Sequence, residues 1–472
     1  MQIRNPSTAG SGISLPLIVH GRLIHSTSRT KIAILSKATL GVNEHGKIAF
    51  VEANTDPTDA AKRYDGFAKA SILRLKPLQF LFPGLIDTHM HAPQYPNMAL
   101  GMEGDLKEWC EGWTDPIEAS YSDTSKAHRV YPGMVDTLLA NGTTTVAYNS
   151  SIHPDATIAL AEICKAKGQR AIIGKLCIEV GATHGNMVAD VKQSLKDEQK
   201  VVEHILNKLD PEGDLVFPCI QPRAGSYVSE DQMSGLGKLC HGYKSPLSPD
   251  SGNNALRVQA HMAETQLEYK NMHELHPGYK SYADMYNHHG LFGPRTILAH
   301  CIHLTDRDIE VMAACGVGVA HNANSNTCLR DGWCRVRTLL DAGVKVGLGT
   351  DCSAGYSISI LDSMRQASNV SRHLAISTGR EKWILGFEEL VYLATMGGAE
   401  VCGLKDRVGD FEKGKDFDAL VVDVGLDDNV NVEGWEGDAG AMLRKWVFMG
   451  DDRSIRKVFV SGKYVAGKDL KA

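Results

Sequence analysis

Two histidines one residue apart, His89 and His91, close the run Phe82-Pro83-Gly84-Leu85-Ile86-Asp87-Thr88-His89-Met90-His91. The apolar lead-in reads as a strand, and strand side chains alternate between faces. His89 and His91 therefore point the same way, with Met90 opposite. Two imidazoles projecting together from a strand end form half of a metal site. Further ionisable residues follow in chain order: Arg223, His261, Glu264, His300, His321 and Asp351. Several imidazoles with one carboxylate suit a divalent first-row metal, zinc or iron above all.

Something must bring these distant residues together. From Pro83 onward the chain holds eight strand-like runs: 82–91, 143–148, 170–176, 216–223, 256–264, 296–300, 316–321 and 345–351. Several are continuously apolar, as expected of parallel strands buried on both faces. Helical patterns lie between them. Those at 157–167, 305–315 and 337–342 stop at Gly168, Gly316 and Gly343, and glycine is a common terminator because it tolerates the left-handed conformation. Strand–helix alternation of this kind predicts an α/β fold, a (β/α)8 TIM-type barrel. Such barrels carry their chemistry at the C-terminal ends of the strands. His89, His91, Arg223, His261, His300, His321 and Asp351 all fall there.

Either side of the barrel the texture is short and β-like, at 14–24, 32–36, 47–51 and 72–75, then at 419–422 and 457–460. The expected organisation is a small β-sandwich domain built from 1–80 plus 404–472, and a catalytic barrel over 81–403. Residues 241–254, rich in Pro, Ser, Gly and Asn, read as an exposed loop before the fifth strand.

Composition narrows the class. The chain has 472 residues, of which 43% are hydrophobic and 22% charged, an ordinary balance for a soluble globular protein. A net charge of −6 argues against nucleic acid or an anionic membrane as partner. No apolar run reaches the roughly 20 residues that span a bilayer. Residues 13–19 are too short for a signal peptide and lack a cleavage pattern. Eleven cysteines at irregular spacings, none in a Cys-x-x-Cys pair, read as reduced thiols in a cytoplasmic protein.

The first-strand motif extends past its histidines as Ala92-Pro93-Gln94-Tyr95-Pro96-Asn97. Gly347-Leu348-Gly349-Thr350-Asp351 precedes Gly355-Tyr356-Ser357, and Ala299-His300 and His321 with Asn324-Ser325-Asn326 lie between. Together these resemble the amidohydrolase superfamily, and within it the branch that deaminates guanine. The resemblance implies that His89, His91, His261 and Asp351 bind one zinc. No lysine stands at the end of the fourth strand, where binuclear members usually carry one. Glu264 would be the proton shuttle, and His300 would sit beside the attacking water. Gln94 and Arg223 would hold the purine, with Ala224, His261, Glu264 and Asp351 also lining its site. The implied reaction is hydrolysis of guanine to xanthine and ammonia by a homodimer. Zinc lowers the pKa of water toward ~7. Asp351 would accept the water proton, Glu264 would protonate a ring nitrogen, and His300 would stabilise the developing charge.

The chain departs from the family pattern in three places. Ala224 stands where an aromatic residue is usual, Asn322-Ala323 replaces Cys-Pro after His321, and Cys352-Ser353-Ala354 follows Asp351. Without a ring at 224, the stacking partner would be Tyr95, Trp109 or Trp113, or the pocket would be wider. A related aminopurine or a pterin is therefore the alternative substrate. A catalytically silent assembly protein is the alternative of another class, although no ligand is missing. His303, His288 and His289 are expected to be solvated, and His184 either borders the cleft or, as is more common for a loop histidine, is incidental.

Overall fold

The computed structural model describes residues 13–243, 256–426 and 428–468. Eight parallel strands form the barrel: Leu85–His91, Thr143–Asn149, Arg170–Gly174, Val216–Pro222, Arg257–Met262, Thr296–His300, Gly318–His321 and Lys345–Leu348. They pair in chain order around the ring. All their residues are buried except Lys345, which explains the unbroken apolar runs.

The ring is drawn shut between the eighth strand and the first. Thr88 Oγ1 donates to the Leu348 carbonyl at 2.8 Å. Beyond the strand ends, Asp351 N donates to His89 O at 2.9 Å and His91 N to Cys352 O at 3.0 Å. Buried Asp87 accepts from Thr350 N at 3.0 Å and from Thr350 Oγ1 at 2.5 Å across the same seam. Glycine permits the approach: a Cβ on Gly349 would lie 2.2 Å from Asn322 Oδ1 and 3.0 Å from His89 Cβ.

Of the expected spans only 296–300 coincides with its strand; the others differ by one to three residues at an end, and two of them show why. The third stops at Gly174, and Leu176–Cys177 forms a separate pair with the fourth. Lys175 intervenes and turns its buried ammonium onto the Leu176 carbonyl at 3.0 Å, since a buried charge needs a partner. The seventh begins at Gly318, because Gly316 is spent on capping helix Asp306–Cys315 at φ 70°. The loop expected at 241–254 lies mostly outside the described residues.

The N- and C-terminal segments share one mixed sheet. Its order is Lys463–Ala466, Ile455–Val460, Ala419–Asp423, Gln79–Pro83, Leu17–Ser28, Lys31–Val42 and Ile48–Ala53, with Ser71–Arg74 also paired to Leu17–Ser28. The two segments meet where Gln79–Pro83 runs antiparallel to Ala419–Asp423. Phe80 and Phe82 pack edge-on against Trp446 behind that junction. Gly84 N, held by Asp418 O at 3.0 Å, then passes the chain into the first barrel strand.

Arg170 anchors the same junction from the barrel side. It opens the third strand at the N-terminal end of the ring and is 0% exposed. Its Nη2 lies 3.1 Å from Asp418 Oδ1 and 3.0 Å from Asp416 Oδ2. Arg407 reaches the same Asp416 oxygen at 2.8 Å.

Candidate metal centre and substrate cleft

At the other end of the ring, strand alternation aims His89 and His91 inward, as their spacing requires. The fifth strand delivers His261, the sixth ends on His300, and Asp351 follows the eighth. His91 Nε2 lies 3.0 Å from His261 Nε2. Asp351 Oδ1 lies 3.2 Å from His89 Nε2 and 3.6 Å from His91 Nε2. His300 Nε2 sits 3.7 Å from Asp351 Oδ2 and 3.5 Å from Glu264 Oε1. Non-glycine residues with positive φ cluster here, at Ala263, His300, Cys301 and Asp351. Backbone strain gathers where side-chain placement is over-determined by function.

The far nitrogens of the rings are held as well. His261 Nδ1 donates to the Arg223 carbonyl at 2.8 Å, which leaves its Nε2 lone pair free. His300 Nδ1 donates to Asn326 Oδ1 at 2.9 Å, so the Asn324-Ser325-Asn326 motif works by orienting His300. The Asn149 amide stands 3.1 Å from His89 Nδ1. Partners of this kind fix tautomer and ring orientation in metal sites. By contrast His89 Nε2 and His300 Nε2 are buried without a hydrogen-bond partner among the described residues.

Electrostatics sort the ionisable groups. Burial lowers His89 to about 4, and burial with the neighbouring imidazoles pushes His261 well below its usual value. Both are neutral, the form that ligates metal. Burial alone would raise Asp351, but His89 and the other imidazoles outweigh it and hold the carboxyl well below its usual range. Glu264 goes the other way, raised well above its usual value by burial and by the Asp351 charge. Two carboxyls with pKa values pushed apart are the arrangement by which acid and base roles are divided.

Three imidazoles and one ionised carboxylate, with buried ring nitrogens lacking partners, fit a divalent metal. His89, His91 and His261 form one convergent group, and His89, His300 and Asp351 another.

Above them opens a cavity of about 500 Å³, whose wall includes His91, Gln94, Trp109, Arg223, Ala224, Tyr227, His261, Glu264, His300 and Asp351. Its polar wall is organised by a residue that sequence reading did not single out. Glu118, on the short helix Asp115–Ala119, is fully buried. It accepts from Gln94 Nε2 at 2.7 Å, Asn186 Nδ2 at 2.7 Å and Arg223 Nη1 at 3.0 Å. Burial would raise Glu118, but Arg223, followed by His91 and Gln94, outweighs it and holds the carboxyl at about 2. Gln94 and Arg223 are thus tied to one carboxylate before any ligand arrives. No spacing rule links position 118 to 94 or 223; the only available signal was a carboxylate within the long connection after the first strand.

Of the three rings considered for stacking, Trp109 lines the cavity. Trp113 is 41% exposed, and neither it nor Tyr95 lies on the wall. Tyr227, not foreseen, lines it too, with the Arg223 guanidinium 5.5 Å from its ring centroid. Two histidine expectations are corrected, and a third is decided. His303 is on the cavity wall, its Nε2 donating to Asp331 O at 2.8 Å. His289 is buried between Ser234 and Tyr279. His184 is exposed, 3.0 Å from Thr183 Oγ1, and is not part of the cavity wall, as an incidental loop histidine would be.

The amidohydrolase family model matches residues 80–465. The chain is 42% identical to a Schizosaccharomyces pombe protein named "Probable guanine deaminase", over 96% of this chain and 84% of that relative. It is 36% identical to the guanine deaminase of Rattus norvegicus, over 96% of this chain and 97% of the other. The crystal structure of guanine deaminase from C. acetobutylicum, with guanine bound in its active site, superposes with a TM-score of 0.84 at 31% identity, covering 95% of this chain and 99% of that one.

Proposed function

Because this chain belongs to the amidohydrolase family, we infer that it catalyses the hydrolytic deamination of guanine to xanthine and ammonia. The observation that carries this reading is the joining of two half-sites in one cavity. The His89–His91–His261–Asp351 cluster lies at its foot, and the Gln94–Glu118–Arg223 clamp forms its wall. The relatives named above support the choice of guanine.

In this reading His89, His91, His261 and Asp351 hold one zinc. Zinc bound there supplies a Lewis acid that brings the pKa of water into the neutral range. Asp351 Oδ2, turned toward His300, accepts the proton of the attacking water. His300 Nε2, whose partner nitrogen donates to Asn326 Oδ1, keeps its lone pair and orients that water by accepting from it. Glu264, kept protonated by its surroundings, gives its proton to the ring nitrogen N3 and makes C2 electrophilic. Asp351 then passes the water proton to the leaving amino group, and the Glu264 carboxylate recovers a proton from the new C2 hydroxyl as the carbonyl forms and ammonia departs. Arg223 offers paired N–H donors to the carbonyl edge of the base, and Glu118 keeps that fork in place.

The reading also includes a homodimer and a cytoplasmic setting. The family resemblance supports the first, and eleven unpaired cysteines, most of them buried, support the second. Among the described residues no helix is long and apolar enough to cross a membrane. The division into 1–80 plus 404–472 and 81–403 belongs to it too, supported by the one sheet that the N- and C-terminal segments share, which runs on to Pro83 before the barrel begins at Leu85.

The test is ammonia release from the purified, zinc-loaded protein offered guanine, other aminopurines and aminopterins. Guanine should give the highest kcat/KM. A pterin or another aminopurine clearly ahead of guanine would shift the assignment to the wider-pocket alternative that Ala224 allows.

A further inference from the structure

One polar group on the cavity wall takes no part in the reaction described above. Asp331 lies beyond helix Ala323–Cys328, which follows the seventh barrel strand. Its backbone is fixed on both sides: its N–H donates to Asn326 O at 3.0 Å, and its carbonyl accepts from His303 Nε2 at 2.8 Å. The side chain is 8% exposed and lines the cavity. Its Oδ2 is buried with no hydrogen-bond partner among the described residues. A buried acceptor left unpaired is costly, so a position held this firmly is explained by a donor that arrives with the ligand.

The geometry of the ring says which donor. Asp331 stands after the seventh strand and Arg223 after the fourth, three strands round a ring of eight, so the two face the cavity from different sides. Arg223 can only donate and therefore takes the O6 and N7 edge of guanine. C2 must face His300 and Asp351, and N3 must face Glu264. Two N–H donors are then left on the bicyclic base: N1–H, beside C6, falls to the Gln94 oxygen, whose amide nitrogen is tied to Glu118 next to Arg223, and N9–H, next to N3, remains. The carboxyls of Asp331 and Glu264 are electrostatic neighbours, which agrees with the adjacency of N9 and N3. Resting on the deamination reading, we propose that Asp331 determines specificity by accepting a hydrogen bond from N9–H, so that the free base is preferred over bases substituted at N9. Burial and the nearby Glu264 lift the Asp331 carboxyl to about 8. A neutral carboxyl keeps its carbonyl oxygen, so the acceptor is present in either protonation state.

The experiment compares guanine, as substrate, with 9-methylguanine, as competitive inhibitor, on the zinc-loaded full chain. Asp331→Ala should raise KM for guanine about 10- to 100-fold, the loss expected when one strong hydrogen bond is removed, with kcat within about threefold. The Ki of 9-methylguanine, which has no N9–H to donate, should move by less than about threefold. Asp331→Asn keeps a carbonyl acceptor and should recover most of the guanine KM. Asp331→Leu, of similar volume without an acceptor, carries the same test should the alanine variant lose its fold. Equal losses on both ligands, or an unchanged guanine KM, would overturn the proposal. Failure of the parent protein to deaminate guanine would instead remove the reading on which it rests.

Discussion

At the N-terminal end of the barrel, Arg170, Asp416, Asp418 and Arg407 are packed so that each charge meets an opposite one within 3.1 Å. At the C-terminal end, His89 Nε2, His300 Nε2 and Asp331 Oδ2 are buried just as thoroughly and meet no hydrogen-bond partner among the described residues. Both ends cost desolvation; the N-terminal end is compensated within the chain, whereas the C-terminal end pairs Asp351 with its imidazoles and still leaves polar atoms without hydrogen bonds. The difference separates groups that hold the fold from groups that wait for a ligand. Burial of a charge says nothing about function until its partners are counted.

Four experiments break or sharpen that comparison. The largest effect is expected from His261→Ala, which removes an imidazole whose second nitrogen is already committed to Arg223 O. The purified variant should lose its zinc and with it all measurable turnover, while circular dichroism stays unchanged. Full zinc occupancy by metal analysis would take His261 out of the ligand set.

Glu264→Gln comes next. An amide of the same shape cannot shuttle a proton, so turnover should fall by about 10²–10⁴ with zinc retained. Its stability should move the opposite way. The folded pKa of Glu264 is raised, so folding favours the protonated form and loses free energy as pH climbs from the ordinary glutamate range through the folded value. At neutral pH the metal-free glutamine variant should therefore melt no lower than the metal-free parent. A clear drop in its Tm would place Glu264 with the fold-holding charges.

At the opposite end, Arg170→Met leaves Asp416 and Asp418 buried beside one remaining arginine and one lysine. Removing one partner of a buried cluster typically costs about 3–5 kcal/mol, which denaturant unfolding would read directly. The kcat per folded molecule should stay within about twofold, since nothing in the cavity touches residue 170. Lost turnover with intact stability would contradict the division between the two ends.

The smallest effect is a pH dependence. Burial would raise Asp416, but Arg170 and then Arg407 outweigh it and hold the carboxyl below its usual range. Its contribution is complete above the ordinary aspartate pKa and fades as pH falls below it, as the folded carboxylate takes up a proton. Acid unfolding of the parent should therefore begin near pH 4, and Arg170→Met should flatten that limb of the curve.

The ligand end was legible in the sequence because its chemistry sits on strand termini. His89, His91, His261 and Asp351 are separated by long stretches, yet each closes or follows an apolar run, and the run fixes where its end must be. Glu118, Asn149 and Asp331 were not legible. Glu118 and Asp331 come from connections between strands, where no periodicity relates a side chain to the cavity. Asn149 ends a strand like the others, but an amide there has no distinctive chemistry until His89 is seen beside it. Arg170 stayed hidden for a different reason. Its partners Asp416 and Asp418 lie in the second half of the chain, and only the shared sheet brings them under the third strand. Ala224 directed the search for a stacking ring elsewhere, and Tyr227, three residues on, could not be distinguished from any other loop tyrosine.

The seam between the first and eighth strands has a consequence for biosynthesis. Leu85–His91 emerges from the ribosome early, but its partners across the seam, Leu348, Thr350 and Asp351, emerge only after some two and a half hundred further residues. Ala419–Asp423, the antiparallel partner of the adjoining Gln79–Pro83, comes later still. Throughout elongation the growing sheet presents an open edge beside two histidines already able to capture a cation, and loop closure over that distance is slow. The candidate metal centre is therefore completed only when the ring closes, and a chain truncated before Asp351 would have three of the four residues proposed to hold the metal, an unpaired edge and no ring to hold them in register.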